Sequence, residues 1–323
     1  MKKVDIGLMG LGNIGTGTYK TLEMNHGLIA ERSGLDLAIT RILEIDTTRE
    51  RDITVVPEQF TQDPQVIFED PDIAIVIELL GGIEPATSFM LEAMRHGKHV
   101  VTANKAAVAA NYDKLTACAK EHNVLFRYEA SVGGGIPILN ALTTVLQAND
   151  FVEVLGIVNG TTNYILTKMT DEGLPYEDVL KDAQAKGFAE ADPTADVEGI
   201  DVANKLTILM ALTFGNYVHP DDIPREGITK ITMDDIAAAK ARGNKIKLIA
   251  KAAKTADGID YSVGPMELPE SHPLAGVNDE FNAIFVKGNA VDDLMFYGKG
   301  AGPLPTGSAV MGDVLSIAKE ITK

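Results

Sequence analysis

Along the first third of the chain, short aliphatic and β-branched runs alternate with longer stretches of helical period. Residues 4–9, 35–44, 73–78, 98–102 and 124–129 read as strands, with helices between them, clearest at 85–96 and 111–122. Residues 23–34 read as a lengthened helix and loop, and Gly97 stands where a left-handed C-cap is expected. Strand alternating with helix is the pattern of a parallel sheet with crossover helices. The runs 73–78 and 98–102 are almost continuously apolar, as strands covered on both faces must be. Beyond Gly133-Gly134-Gly135 the alternation stops. A strand at 151–158 leads to helices around 164–171, 176–186, 199–214 and 233–242, then to strands near 245–253, 259–265 and 283–287. This predicts a second, α+β domain. A last amphipathic helix spans 306–323, with Val310, Val314, Leu315 and Ala318 on one face.

The first strand runs into Gly10-Leu11-Gly12-Asn13-Ile14-Gly15 and then a helix. Alone, GxGxxG is a weak signal, but between a strand and a helix it has the context of a dinucleotide-binding turn. Gly10 makes the turn, Gly12 lets a pyrophosphate approach the backbone, and Gly15 allows close helix packing. The expected fold class is therefore α/β, a Rossmann-type domain followed by an α+β domain. Glu44 and Asp46 end the second strand, where an acid can bond the adenosine ribose or merely solvate a strand end.

A formal charge of −17 on 323 residues disfavours nucleic acid and anionic membranes as partners. An anionic cofactor must then be held by local backbone dipoles. The single cysteine, Cys118, excludes an intrachain disulfide and a zinc site of several thiolates. Asp5 interrupts any signal-peptide core, and no apolar run is long enough to span a bilayer, so a soluble cytoplasmic protein is expected.

One segment is dense in acids, from Gly187 through Glu190, Asp192-Pro193, Asp196 and Glu198-Gly199 to Asp201 and Lys205. Asp201 and Lys205 are four apart, which on most helices means a solvated surface pair. Here the helix continues as an apolar run, 206–212, which argues for burial. A buried lysine among carboxylates is a candidate amino-acid site and a candidate proton donor.

This segment, with Ala183, resembles the signature of homoserine dehydrogenases. Four others agree: Val100-Val101-Thr102-Ala103-Asn104-Lys105-Ala106, Glu129-Ala130-Ser131-Val132-Gly133-Gly134-Gly135-Ile136-Pro137, Asn159-Gly160-Thr161-Thr162-Asn163-Tyr164-Ile165-Leu166, and Gly298-Lys299-Gly300-Ala301-Gly302 with Pro305-Thr306. Asn159-Gly160-Thr161 is also a glycosylation sequon, coincidental in a cytosolic chain. The resemblance implies a cofactor domain at 1–135, completed by 303–323, and a substrate and dimerisation domain at 136–302 in a homodimer. It implies reduction of L-aspartate 4-semialdehyde to L-homoserine by NAD or NADP, in threonine and methionine biosynthesis. Lys205 and Lys105 would be the catalytic lysines, with Asp201 near the reacting oxygen. Glu190 and Asp196 would hold the ammonium, and Gly160 and Thr161 the polar end. Cofactor contacts would fall on Gly10, Gly12, Asn13, Ile14, Gly15, Glu44, Thr102, Lys105, Gly187 and Gly302. A monovalent cation such as Na⁺ would sit at Glu129, Val132, Gly134 and Ile136.

Two departures from the family pattern matter. Glu44 stands where many members carry a basic residue, which points toward NAD. The sequence ends directly after its closing helix, so the threonine-sensing regulatory domain of longer relatives, and inhibition by threonine, are not expected. The competing readings are another two-domain amino-acid dehydrogenase, which the 187–205 signature opposes, and a silent dinucleotide sensor, which would have lost Lys105 or Lys205.

Overall fold

A computed structural model describes residues 1–323, which form two compact units, 1–135 with 301–323, and 136–300.

The first unit runs β1 (Lys2–Met9), α1 (Asn13–Ser33), β2 (Leu35–Leu43), β3 (Phe60–Thr61), α2 (Gln65–Phe68), β4 (Ile73–Glu78), α3 (Ala86–Arg95), β5 (His99–Thr102), α4 (Lys105–Ala110), α5 (Tyr112–Glu121) and β6 (Phe126–Arg127). Its sheet has the order β3-β2-β1-β4-β5-β6, every pair parallel. The order reverses between β1 and β4, the switch point at whose C-terminal edge open α/β sheets bind ligands. The centre of the sheet is apolar on both faces, with Ile6, Leu8, Ile75, Val76 and Ile77 inaccessible to solvent.

Several elements depart from the pattern. Residues 23–34 contain no separate loop, because α1 continues to Ser33 and closes when Gly34 N–H donates to Ala30 O. The helix at 111–122 is the second of two, with the chain breaking at Asn111. The strand at 124–129 keeps only Phe126–Arg127, since Glu129–Ser131 turns as a 3-10 helix. Strand β3 and helix α2 are too short to leave a periodic signal. Gly97 caps α3 as expected, at φ +74°, its N–H bonded to Met94 O.

The second unit contains α6 (Leu139–Thr143), β7 (Phe151–Ile157), α7 (Gly160–Glu172), α8 (Tyr176–Ala185), α9 (Thr194–Val197), α10 (Ile200–Phe214), α11 (Met233–Ala241), β8 (Asn244–Thr255), β9 (Gly258–Pro269), β10 (Phe281–Gly288) and β11 (Asp292–Lys299). The sheet β11-β10-β7-β8-β9 is antiparallel. Strand β11 was not expected, because its apolar part, Leu294-Met295-Phe296-Tyr297, is short and its last residues, Gly298-Lys299, belong to a glycine-rich segment. Helix α7 starts at Gly160, four residues ahead of the expected helix, because Asn159 caps it.

Finally α12 (Pro303–Ile321) returns to the first unit, burying Val310, Met311, Val314, Ile317 and Ala318, while Leu315 lies at the rim of that face. No helix is long and apolar enough to cross a membrane.

Candidate functional site

In the first unit the glycine turn joins β1 to α1. Gly10 has φ +93°, and a Cβ there would lie 2.7 Å from Leu79 O. A Cβ on Gly15 would lie 2.1 Å from Gly10 O, so both positions exclude side chains. Nothing lies within 4 Å of a Cβ on Gly12, which leaves the backbone at the start of α1 open to an approaching phosphate. Asn13 is exposed and Ile14 half-buried beside it.

Glu44 is tied to this turn. Its Oε2 accepts from Leu11 N at 2.9 Å, and its Oε1 accepts from Asp46 N at 3.0 Å. Arg51 lies 3.3 Å from Glu44 Oε2 and donates to the carbonyls of Leu11, Arg49 and Asp46. Its side chain is only 7% exposed, so Arg51 braces the loop and is not free to swing. Asp46, the other ribose candidate, instead accepts from Thr48 and Arg49 N in its own turn, which lowers its proton affinity. Arg49 reaches Asn13 Oδ1 at 3.3 Å. A cavity of about 310 Å³ opens here, where Lys20, Arg49 and Arg51 stand among Glu50 and Asp52 and Lys20 is paired with Asp52. Lys20 was not expected from the sequence.

At the ends of β4 and β5, Glu78 is fully buried, and burial pushes its carboxyl up. It accepts from Thr102 Oγ1 at 2.7 Å and from Leu80 N at 2.7 Å. Thr102 Oγ1 in turn accepts from Asn104 N at 2.9 Å, so its hydroxyl is committed inside the unit. Asn104 caps α4 by accepting from Ala107 N, and its Nδ2 donates to Gly82 O. This chain of bonds fixes the start of α4, where Lys105 is the exposed first residue. A cation there is opposed by the helix dipole, so the placement does nothing for helix stability. Gly302 precedes α12 at φ +115°. Glu129 is buried, and its N–H donates to Asp313 Oδ2 at 2.8 Å. Burial pushes Asp313 up to about 7. Val132 is buried too, with Gly134 at φ +55°. Ile136, which opens the second unit, is 2% exposed.

In the second unit the acid-rich segment folds around the end of β7. Asp201 and Lys205 are buried on α10, whose Val202, Ala203, Leu206 and Ile208 are almost inaccessible. Lys205 Nζ donates to Asp201 Oδ2 at 2.7 Å and to Val158 O at 2.6 Å. Asp196 arrives from α9 and is joined to Asp201 through Asn159, whose Nδ2 donates to Asp196 Oδ1 at 2.7 Å and Asp201 Oδ2 at 2.9 Å. Burial raises the proton affinity of Asp196, and the Asn159 bond opposes this. Thr161 Oγ1 donates to Phe188 O at 2.7 Å, tying α7 to the acidic loop. Gly160 is pressed by Glu280 O, 2.7 Å from where a Cβ would be. Asn163 holds that loop by donating to the carbonyls of Val277, Asp279 and Phe281, while buried Lys247 donates to Asn163 Oδ1. Burial pushes Lys247 down to about 8.

The structure thus brings Asp196, Asp201, Lys205 and Thr161 into one connected cluster, with Gly160 beside Thr161. Glu190 is left out: it is exposed, with its carbonyl taken by Gln184 Nε2 at 3.1 Å. Gly187 is exposed at φ +76° in the turn after α8. Asn159 stands in the family-like segment 159–166 and in a sequon, neither of which gave it a role of its own. An asparagine between a strand and Gly-Thr-Thr could have been read as an N-cap.

Residues 10–129 match the family model described as "Homoserine dehydrogenase, NAD binding domain", and residues 137–315 match that described as "Homoserine dehydrogenase". The homoserine dehydrogenase of Bacillus subtilis (strain 168) is 43% identical over 321 residues, covering 99% of this chain and 74% of that protein. A crystal structure of a homoserine dehydrogenase from Thiobacillus denitrificans aligns with TM-score 0.95 at 42% identity, over 100% of this chain and 74% of that one. A hyperthermophilic archaeal homoserine dehydrogenase mutant, solved in complex with NADPH, aligns with TM-score 0.82 at 28% identity, over 98% of both chains. With both family models matched and relatives of this identity aligned over nearly its whole length, the chain belongs to the homoserine dehydrogenase family, whose members are NAD(P)-dependent oxidoreductases.

Proposed function

We propose that this chain interconverts L-aspartate 4-semialdehyde and L-homoserine in the cytoplasm, in the synthesis of threonine and methionine. The observation that carries this reading is the cluster of buried Lys205, Asp201 and Asn159 with half-buried Asp196. The substrate is a zwitterion, so it needs an anionic seat for its ammonium and a cationic group at the aldehyde oxygen. Residues 1–135 with 303–323 take the cofactor role, and residues 136–302 the substrate role.

The dinucleotide supplies the hydride. Negative charge then grows on the aldehyde oxygen, where Lys205 stabilises it and delivers the proton. Asp201 orients Lys205 and bonds near that oxygen, and Lys105 is the second lysine of the site. Asp196 takes the ammonium, and Glu190 joins it through rearrangement of the loop 187–193. Gly160 and Thr161 meet the polar end. Gly10, Gly12, Asn13, Ile14, Gly15, Glu44, Thr102, Lys105, Gly187 and Gly302 contact the dinucleotide. Glu129, with the carbonyls of Val132, Gly134 and Ile136, offers the hard oxygen donors that suit Na⁺. The functional test is the initial rate with L-homoserine against 4-hydroxybutanoate, which lacks the ammonium. The expected outcome is turnover of the first and rejection of the second, and equal rates would overturn the reading.

The same assay, run with each dinucleotide, reads the cofactor preference. One relative, a mutant hyperthermophilic archaeal homoserine dehydrogenase, was solved in complex with NADPH. In this chain Glu44 is held at the end of β2, where a carboxylate accepts from ribose hydroxyls and repels that phosphate. Arg51 is braced by carbonyls, which leaves Arg49 as the counterweight. NAD(H) is therefore used at least as well as NADP(H). A kcat/KM favouring NADP tenfold or more would contradict this.

The reading includes a homodimer through the second unit. Met295 and Tyr297 on β11 are 41% and 54% exposed, and they share one face because their partners Phe285 and Ala283 lie two apart on β10. Sedimentation at micromolar concentration should give a dimer, and a stable monomer would refute it.

A further inference from the structure

All four hydrogen-bonding positions of the Asn159 side chain are taken. Its Oδ1 accepts from Thr162 N at 2.9 Å and Thr162 Oγ1 at 3.0 Å, while its amide hydrogens go to Asp196 and Asp201. This fixes the amide's orientation, since a flip would turn oxygen toward two carboxylates and nitrogen toward the Thr162 N–H. Asn159 is 5% exposed, and its bond to Asp201 is buried, whereas its bond to Asp196 is partly so. The residue joins three elements: the end of β7, the cap of α7, and the acids of α9 and α10.

We propose that Asn159 is the positioning residue that keeps Asp196, the seat for the substrate's ammonium, ionised beside Asp201. The proposal rests on the functional reading above and extends it to a residue of the cluster that has no role there. A buried and a half-buried carboxylate sharing one partner repel each other, and each favours protonation of the other. The charged and polar groups facing Asp196 are Asp201 and Lys205 from α10, and Asn159 and Thr161 from the β7–α7 turn. Burial and Asp201 favour a proton on Asp196, whereas Asn159, Lys205 and Thr161 oppose it. A proton caught there removes the charge of the seat, and the ammonium is lost with it.

Two variants separate this role from the helix cap. Asn159→Ser and Asn159→Asp both keep a side-chain oxygen that can cap α7. Serine removes the amide without adding charge, whereas aspartate sets a third carboxylate against the other two. Each variant is compared with the natural protein by pH titration of the Asp side-chain carboxyl carbons in NMR, and by the pH profile of kcat/KM for L-homoserine. In both variants the Asp196 midpoint should rise by about one pH unit or more, and further in Asn159→Asp. The acid limb of kcat/KM should rise with it, the loss at neutral pH falling on the KM for homoserine and not on that for the dinucleotide. Unmoved NMR midpoints overturn the proposal, even where thermal stability falls. Midpoints that move without the kinetic limb also overturn it, because Asp196 would then not be seating the ammonium. If the natural protein does not turn over L-homoserine, the functional reading fails, and the link to the ammonium with it. The carboxyl titration still decides whether Asn159 keeps the pair ionised.

Discussion

Lys205→Ala lowers turnover of L-homoserine by ~10²–10³, or more if no water takes over proton transfer, while dinucleotide binding is kept. The argument starts from charge. A hydride delivered to an aldehyde carbon leaves a full negative charge on oxygen, and a preorganised donor in a water-poor site stabilises it far more than water would. Lys205 is preorganised by two bonds of 2.6 and 2.7 Å, and its side chain is 10% exposed. Alanine removes both the charge and the proton source but leaves the glycine turn in the other unit intact. The loss should fall on kcat, because it concerns a charge present only in the transition state. A variant with near-normal kcat would pass the role to Lys105. Dinucleotide binding, followed by nicotinamide fluorescence, separates lost chemistry from lost fold.

Asp201→Ala has the largest expected effect on stability, about 3–5 kcal/mol, because it leaves the Lys205 ammonium buried without its carboxylate. The side chains are 7% and 10% exposed, so solvent offers little screening. The loss belongs to the unpaired charge more than to the missing contact. The double variant Asp201→Ala, Lys205→Met should therefore be more stable than Asp201→Ala alone. Urea unfolding of natural protein, both single variants and the double variant closes the cycle. An Asp201→Ala variant within about 1 kcal/mol of the natural protein would show a pair that behaves as a surface bridge.

The sequence was most legible where chemistry and local geometry coincide. The Gly10–Gly15 turn could be read because a strand, three glycines and a helix occupy one short stretch. The Asp201–Lys205 pair could be read as buried because the rest of α10 is apolar. Features made by distant residues were hidden. Asn159 meets Asp196 and Asp201 from 37 and 42 positions away, and nothing in its own segment announces them. Asp313 left a usable trace, an acid among Val310, Val314 and Ile317 on the face that α12 buries, yet its partner Glu129 lies 184 residues upstream. Glu44 was correctly placed at the strand end, but its bonds to the glycine turn and the bracing of Arg51 depend on a loop whose course carries no periodicity.

The central claim is that a buried lysine and a pair of acids handle a zwitterionic alcohol beside a nicotinamide. Its most direct measurement is the nicotinamide absorbance when purified protein, NAD and L-homoserine are mixed, beside the same mixture containing Lys205→Ala. The account predicts reduced nicotinamide forming with the natural protein and a rate lower by at least ~10² with the variant. A natural protein that binds the dinucleotide yet produces none from L-homoserine, or a variant that matches it, would contradict the account.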